Sequence, residues 1–284
     1  MTELRWGERT YLMGIINVTP DSFSGDGIAL PGRSEAEVVA AALDQARGFV
    51  EAGAGILDVG AESSRPAQFY GEHPGLTAEA EVALAIPVVA ALARMSGGGA
   101  LISIDTTKGE VARQALAAGA GMVNDVWAGR RDQSTIEAAA RTGAYLVLMH
   151  NKEVAEYPGG LFDEVVDWLA AAVRDAIAAG VSRDRLIVDP GIGFGKTPAH
   201  SIELLHRLGE LKAALGGLPM LIGTSRKRFI GELLGGAPPS ARLEGTLASV
   251  AVAIAEGADI IRVHDVVESA RAVRVADGIV RWHR

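Results

Sequence analysis

The segment LISIDTTKGEVARQALAAGAGMVND, residues 101–125, contains the repeating unit that decides the fold. It opens with the apolar run Leu101–Ile104, reaches Asp105, and continues into an alanine-rich stretch. Gly119 then precedes a second apolar run, which ends in Asn124 and Asp125. Glycine most easily supplies the left-handed backbone conformation that ends a helix. The segment therefore predicts a strand, a helix and a second strand, with polar residues at the carboxyl end of each strand.

The same unit recurs along the whole chain. Eight short apolar runs fit buried parallel strands, which are apolar on both faces: Leu12–Ile16, Ile56–Val59, Leu101–Ile104, Met122–Val123, Tyr145–Met149, Leu186–Val188, Met220–Ile222 and Ile260–Val263. The stretches between them have helical spacing; Ser34 and Glu37 are spaced as a capping box, and a glycine closes six stretches: Gly53, Gly119, Gly143, Gly180, Gly217 and Gly257. Eight such units favour a closed (β/α)8 TIM barrel over an open doubly wound sheet. No low-complexity linker divides the chain, so we expect a single domain over residues 1–284.

Composition narrows the classes of function. Of the 284 residues, 49% are hydrophobic and 22% are charged, so the chain can bury a large aliphatic core. It contains no cysteine, which excludes disulfides, thiolate zinc sites and cysteine nucleophiles. The formal net charge of −8 argues against nucleic acid and anionic membranes as partners. No apolar run is long enough for a signal-peptide core or a membrane span, and we expect a cytoplasmic protein.

Polar residues follow the predicted strands. In a barrel the carboxyl ends of the strands converge, so these residues are expected to meet in one site. Asp105, Asn124 and Asp189 offer carboxylate and amide edges suited to a flat heterocycle with several N–H donors. Donors suited to phosphate or diphosphate lie at or after the ends of other predicted strands: Arg65, Lys227, Arg262 and His264. Asp58 lies inside an apolar run, and two interpretations of it stay open, a buried structural acceptor and a catalytic group.

Two tempting motifs are excluded by their spacing. The segment DPGIGFGKTP, residues 189–198, is not a Walker loop, because Pro190 stands where that pattern needs glycine. We interpret Gly191, Gly193 and Gly195 as a flexible loop that permits close approach by substrate or by Phe194. The histidines lack the HExxH spacing of a zinc site, and we place four of them on the surface or on helices: His73, His200, His206 and His283.

Eight strings carry a family resemblance, in the order MGIINVTPDSFS, DVGAESSRP, ISIDTTK, VNDV, LMHN, DPGIGFGK, GTSRK and IIRVHDV, covering nearly the whole chain. Together they resemble the dihydropteroate synthases, pterin-binding enzymes of folate biosynthesis. The resemblance implies a (β/α)8 barrel, usually a homodimer, that is a target of sulfonamides. It implies condensation of (7,8-dihydropterin-6-yl)methyl diphosphate with 4-aminobenzoate, giving 7,8-dihydropteroate and diphosphate, with Mg²⁺ assisting.

The resemblance also assigns roles to individual residues of this chain. The residues it makes catalytic are Asn17, Asp105, Asp189, Lys227, Arg262 and His264, with Asn17 at the metal. The residues it places at the pterin diphosphate are Ser64, Asp105, Asn124, Met149, Asp189, Lys227, Arg262, Val263 and His264. Those it places at 4-aminobenzoate are Arg65, Pro66, Phe194 and Ser225.

The chain departs from the family pattern at two strings. Ser64 stands where many members have threonine, which keeps the hydroxyl, and LMHNK replaces the LMHMQ form of part of the family, so less weight rests on Asn151 and Lys152. Two alternatives stay open beside the synthase: a catalytically silent pterin-binding paralogue and a pterin-binding methyltransferase domain. The SRK string, the NVTPDSFS loop and the lack of a corrinoid-partner module argue against the methyltransferase. The intact set of site residues argues against the silent paralogue.

Overall fold

Eight parallel strands form one sheet. The computed structural model describes residues 3–19, 27–62, 75–97 and 99–282, with strands β1 (Tyr11–Asn17), β2 (Ile56–Gly60), β3 (Leu101–Asp105), β4 (Met122–Asp125), β5 (Tyr145–Met149), β6 (Leu186–Asp189), β7 (Leu221–Ile222) and β8 (Ile260–Val263). Their spatial order is β6-β5-β4-β3-β2-β1-β8-β7. A parallel bridge between Val188 and Met220 joins β6 to the residue before β7, so the sheet closes. The predicted (β/α)8 barrel is confirmed, and five strands extend one or two residues beyond the predicted apolar run at their carboxyl ends.

Helices on the outside connect the strands. Their bounds are Glu35–Ala52, Ala78–Ser96, Gly109–Ala117, Ser134–Thr142, Leu161–Ala178, Pro198–His206, Leu208–Ala214, Arg228–Leu233, Leu243–Ala255 and Val266–Val280. The predicted capping box of Ser34 and Glu37 is present, and all six glycines predicted to close helical stretches have positive φ. Gly53, at φ 109°, shows why: its N–H bonds back to the last turn in a conformation that a side chain would strain. Among the described residues, no helix is both long and apolar enough to cross a membrane.

Two hydrophobic cores lie on opposite sides of the sheet. The larger fills the space between strands and helices and includes Leu12, Ile104 and Leu148. The smaller fills the amino-terminal half of the barrel interior with Tyr11, Met13, Ile56, Leu101, Met122, Tyr145, Val147, Ile187, Leu221 and Ile260. Leu4 joins this inner core, and its backbone N–H donates to the Tyr145 hydroxyl (3.0 Å), so the chain's first described residues cover the amino end.

The interior of the barrel changes from apolar to polar along its axis. Alternate residues of a strand face the same side of the sheet. Two residues after an inward apolar side chain, several strands therefore carry an inward polar one: Asp58 after Ile56, Asn124 after Met122, Asp189 after Ile187 and Arg262 after Ile260. The amino end is thus a packed core, and the carboxyl end holds the side chains predicted to form a site.

Candidate active site

A buried ion-pair cluster lies at the centre of the barrel. Arg262 on β8 donates through Nε to Asp58 Oδ2 (2.7 Å) and through Nη2 to Asp105 Oδ2 (2.7 Å). Asn124 on β4 donates through Nδ2 to the same Asp58 oxygen (3.0 Å). All four residues lie on different strands, and only the closed barrel brings them together. Asp58 therefore acts as the buried structural acceptor of the two interpretations, holding two predicted site residues in place.

The cluster carries more negative than positive charge. Asp58 is fully buried, and its Oδ1 has no hydrogen-bond partner. Burial raises the pKa of Asp105 to about 7; Arg262 opposes this rise, and the carboxylate of Asp58 adds to it. The same two carboxylates raise the pKa of Arg262 against its own burial, so the guanidinium stays charged. Near neutral pH, Asp105 is consequently poised to gain or lose a proton.

Asp189 and Lys227 form the second part of the site. Asp189, at the end of β6, accepts a hydrogen bond at Oδ1 from the N–H of Gly191 (2.7 Å). Burial raises its pKa, while the charge of Lys227 lowers it. The Lys227 amine donates to the carbonyl of Ile192 and lies 4.8 Å from the ring centroid of Phe194. The amine of Lys227, from the loop after β7, therefore lies against the loop after β6, which carries the carboxylate of Asp189 and the aromatic ring of Phe194.

Gly223 connects these two parts. A Cβ built on this glycine would lie 3.8 Å from the Lys227 Nζ and 3.8 Å from the Arg262 Cβ. Lys227 thus reaches back from its loop to the wall of the barrel beside Arg262. The charge of Arg262 also lowers the pKa of Asp189.

Ser225 and His264 join the loops after β7 and β8. The Ser225 Oγ lies 2.9 Å from His264 Nδ1 and accepts from the His264 backbone N–H (3.2 Å). Between Ser225 and Lys227, Arg226 has a positive φ of 58°, which is costly for a residue with a side chain. Its guanidinium pairs with both carboxylate oxygens of Asp265 (2.5 and 3.0 Å). This pairing stabilises the turn that presents Ser225 and Lys227 on either side of Arg226.

The glycine loop after β6 is packed, and its interpretation as a flexible loop was wrong. A Cβ on Gly191 would lie 1.9 Å from the His150 carbonyl oxygen, and one on Gly195 would lie 2.2 Å from the Lys152 carbonyl oxygen. Both residues also have positive φ (70° and 54°). These glycines do permit close approach, but Gly191 and Gly195 approach the backbone after β5. Gly193 instead lies against the side chain of Lys227.

The remaining predicted residues fall in three groups. Asn17 and Met149 end β1 and β5 at inward positions, in step with Tyr11 and Tyr145 of the inner core, and Met149 pairs in register with Asp189. Val263 belongs to the outer core, on the face opposite Arg262, so its side chain lies away from the site and only its main chain can face a ligand. Ser64, Arg65 and Pro66 lie outside the described residues.

Two further polar groups near the site were not predicted as site residues. The Lys196 side chain is buried, and its Nζ lies 2.8 Å from His150 Nδ1. Its place as the last residue of the DPGIGFGK string was the signal in the sequence that could have identified it. Lys108, after β3, bridges Glu62 and the buried Glu81, whose Oε2 lies 2.6 Å from the amine. Because lysine side chains are rarely buried, the sequence alone does not indicate that Lys196 lies against His150 or that Lys108 pairs with Glu62 and Glu81.

In the part of the chain that the structure describes, the oxygen donors that could bind a metal ion at the site are scattered. Among the described residues, no group of three or more histidine, aspartate or glutamate side chains could hold a metal ion. His200 and His206 lie on the helix Pro198–His206 as predicted, and His73 and His283 are outside the described residues. Asn17 offers a neutral amide oxygen. Such a site suits a cation that takes most of its ligands from water and from substrate phosphate oxygens, as Mg²⁺ does.

Comparisons with known proteins agree on one family. The family model described as "Pterin binding enzyme" matches residues 13–264. A dihydropteroate synthase from Synechocystis is 43% identical over 283 residues, which cover 97% of this chain and 92% of the relative. A solved dihydropteroate synthase from Clostridium difficile, in the presence of pteroic acid, superimposes with a TM-score of 0.88 at 40% identity, covering 98% of this chain and all of that one. A Xanthomonas albilineans dihydropteroate synthase with 4-aminobenzoic acid gives a TM-score of 0.84 at 38% identity, covering 95% and 93%.

Proposed function

The chain belongs to the pterin-binding enzymes, among the dihydropteroate synthases, and from that premise we propose that it joins (7,8-dihydropterin-6-yl)methyl diphosphate to 4-aminobenzoate. The products are 7,8-dihydropteroate and diphosphate, and the reaction is a transferase step of folate biosynthesis. The observation that supports this function best is the inward cluster of Asp58, Asp105, Asn124 and Arg262, with Asp189 and Lys227 beside it. In this cluster, oxygen atoms that can accept hydrogen bonds from a heterocycle lie next to cationic side chains that can bind a diphosphate.

Recognition of the pterin is proposed to use the buried acceptors. Asp105, Asn124 and Asp189 are each at least nine-tenths buried, so a hydrogen bond from a ring N–H is made away from water, where it is stronger. Met149, at the inward end of β5, would pack on the ring, and Lys227 would reach a ring acceptor. Gly191 keeps the Asp189 carboxylate aimed inward through its N–H.

The leaving diphosphate is proposed to lie at Arg262 and His264, with Ser64 and the main chain of Val263 completing its contacts. Nε and Nη2 of Arg262 are bonded to carboxylates, which leaves Nη1 to face the anion. The bond between the pterin methylene and the diphosphate oxygen breaks, and diphosphate leaves with the electron pair. Asp105 and Asp189 then stabilise positive charge on the pterin.

The nucleophile is proposed to need no base. An arylamine is neutral near pH 7, so its nitrogen already carries the electron pair that forms the new C–N bond. The proton lost after attack goes to water or to diphosphate. Phe194 and Ser225, with Arg65 and Pro66, are proposed to hold 4-aminobenzoate. The contacts of Phe194 with Lys227 and of Ser225 with His264 support this proposal.

Magnesium is proposed as the cofactor, with Asn17 as its protein ligand. When bound, the ion would neutralise charge on the diphosphate. Replacing Asn17 by alanine should raise the Mg²⁺ concentration for half-maximal rate by roughly tenfold, because one oxygen donor is lost, and a Mg²⁺ titration of the initial rate measures it. The KM for 4-aminobenzoate should stay constant. An unchanged Mg²⁺ requirement would remove Asn17 from the metal site.

Diphosphate release tests the proposed function. The protein is mixed with the pterin diphosphate, 4-aminobenzoate and Mg²⁺, and diphosphate is measured over time with dihydropteroate. Release that depends on 4-aminobenzoate supports the synthase. Pterin binding without release would support a silent pterin-binding paralogue, and methyl transfer to a corrinoid without release would support a methyltransferase domain.

Pterin affinity is expected to fall in acid because of Asp105. The pKa of this carboxyl is raised to about 7 by burial, so lowering the pH from 8 to 6 converts the accepting carboxylate into the protonated acid. Affinity should fall about tenfold over that interval for a single controlling group. Calorimetric titration with the pterin at several pH values measures it, and Asp105→Asn, matched in shape, should bind weakly with a flat profile. A persistent slope in that variant would assign the titration to another group.

The assembly and location are also proposed. We propose a cytoplasmic homodimer in which residues 1–284 act as one pterin-binding domain. Exposed apolar side chains on the helices Leu243–Ala255 and Val266–Val280 support a dimer contact there: Val252, Val267, Val275 and Ile279.

All eight strands belong to one sheet, which supports the single domain. The net charge of −8 supports the absence of nucleic-acid partners.

A further inference from the structure

Lys196 is a buried lysine that the proposed reaction does not use. It ends the glycine loop after β6, and only 3% of its surface is exposed. Its Nζ lies 2.8 Å from His150 Nδ1, directly after β5, and donates to the carbonyl of Phe194 (3.0 Å). One amine therefore joins the carboxyl ends of two neighbouring strands.

Burial and the neighbouring charges shift the pKa values of the Lys196 amine and of its neighbour His150. Burial lowers the pKa of Lys196 well below its usual value, and Lys227 and Lys152 lower it further against the opposing effect of Asp189. Burial and the neighbouring Lys196 lower the pKa of His150 to about 2, so this ring is neutral. The amine lies within hydrogen-bond distance of both His150 Nδ1 and the Phe194 carbonyl, and the neutral ring accepts at Nδ1 when its proton is on Nε2.

The acceptor His150 is itself held rigidly. Its ring packs edge-on against Trp168, with centroids 5.1 Å apart, and at 6.0 Å from the ring of Tyr157. Lys196 is therefore held by a side chain that is itself packed in place directly after β5. Because Phe194 is only two residues away, this also fixes the main chain of Phe194.

The same loop is held at a second point. The Tyr157 hydroxyl donates to the carbonyl of Gly195 (2.7 Å). Together with the close backbone approach of Gly191 and Gly195 to residues 150–152, these bonds immobilise the segment that carries Phe194. The ring of Phe194 is then kept 4.8 Å from the Lys227 amine.

We infer that Lys196 is a positioning residue for the second substrate: its two hydrogen bonds hold the carbonyl of Phe194, and with it the ring proposed to contact 4-aminobenzoate. The inference rests on the proposed function. Asp189, proposed to bind the pterin, accepts its own hydrogen bond from Gly191, and the charge of Lys227 lowers its pKa more than the charge of Lys196 does. Lys196 should therefore affect the two substrates unequally.

The variant Lys196→Met keeps the length of the side chain and removes both donors. We expect the KM for 4-aminobenzoate to rise about tenfold, as for loss of a buried hydrogen bond or two, with the pterin Kd within about twofold of the original. Diphosphate release at saturating pterin diphosphate and Mg²⁺ gives the KM, and calorimetry gives the Kd. The matched control is Lys212→Met at the amino end of the barrel, which removes bonds to Asp259 and the Gly257 carbonyl (2.6 and 2.7 Å); it should lower stability and leave both constants unchanged.

Tyr157→Phe is the second, milder variant, and it decides the question if Lys196→Met does not fold. It removes only the bond to the Gly195 carbonyl, and the KM for 4-aminobenzoate should rise about threefold. An unchanged KM in the variants that fold, or an equal loss for both substrates, overturns the inference. Absence of diphosphate release by the unsubstituted chain overturns the proposed function itself, and the inference with it.

Discussion

Replacing Arg262 by methionine is expected to lower the free energy of unfolding by about 3–5 kcal/mol, the cost of leaving a buried charge without its partner. The substitution keeps the length of the side chain and leaves two buried carboxylates, Asp58 and Asp105, without their common cation. Urea unfolding at pH 8 measures the change. Diphosphate release should be lost as well, because the proposed cation for the leaving group is gone.

The pH dependence of the stability of Arg262→Met tests whether the loss of stability is electrostatic. The pKa of Asp105 is already raised to about 7 with Arg262 present, and losing the cation raises it further. The folded state then binds the proton more tightly than the unfolded chain, whose aspartates have a pKa of about 4. The stability deficit should therefore shrink as the pH falls from 8 towards 5.

Two controls separate the charge from lost packing. Adding Asp58→Asn to the methionine variant removes one unpaired carboxylate and should recover part of the stability, so the double variant is less destabilised than the sum of the single ones. Arg113→Met breaks an exposed pair with Glu110 and should leave the free energy of unfolding nearly unchanged. If the double variant were as unstable as the sum, the charge cluster would not be the cause.

Asp189→Asn and Lys227→Met are each expected to weaken pterin binding by about 1.5–3 kcal/mol, or roughly 10- to 150-fold, the contribution of a hydrogen bond to a charged group. Asparagine at 189 can still accept the Gly191 N–H through its amide oxygen, so the loop should keep its conformation. Calorimetric titration with the pterin measures affinity, and circular dichroism checks that the fold is intact. Lys212→Met, remote from the site, should bind normally. Unchanged affinity in both site variants would refute the assignment of these residues to the pterin.

Part of the site could be predicted because strand ends are visible in the sequence. The inward positions of Asp105, Asn124 and Asp189 follow from apolar runs that stop at a polar residue, and a parallel barrel gathers such ends on one face. The partners could not be predicted in this way. Asp58 and Arg262 are 204 positions apart, and they become neighbours because β1 pairs with β2 on one side and with β8 on the other.

The structure limits one sequence assignment and shows that another was wrong, each for its own physical reason. Val263 was grouped with Arg262 and His264, yet successive strand residues face opposite sides, and its side chain packs into the outer core. The glycines of DPGIGFGK suggested flexibility, because glycine permits many conformations. In the structure the same property allows close contact with the backbone after β5.

By itself, the sequence determined the alternation of eight apolar runs and helical stretches, the glycines that end helices, and the polar residue types at the strand ends. These properties are local: periodicity, backbone conformation and residue chemistry act over a few neighbouring positions. Only the tertiary structure decided that Asp58 holds Arg262 and Asn124, and that Lys196 joins His150 to the loop of Phe194. Burial and hydrogen bonding depend on residues brought together from distant strands, and the environment that raises the pKa of Asp105 and lowers that of Lys196 exists only after the barrel closes.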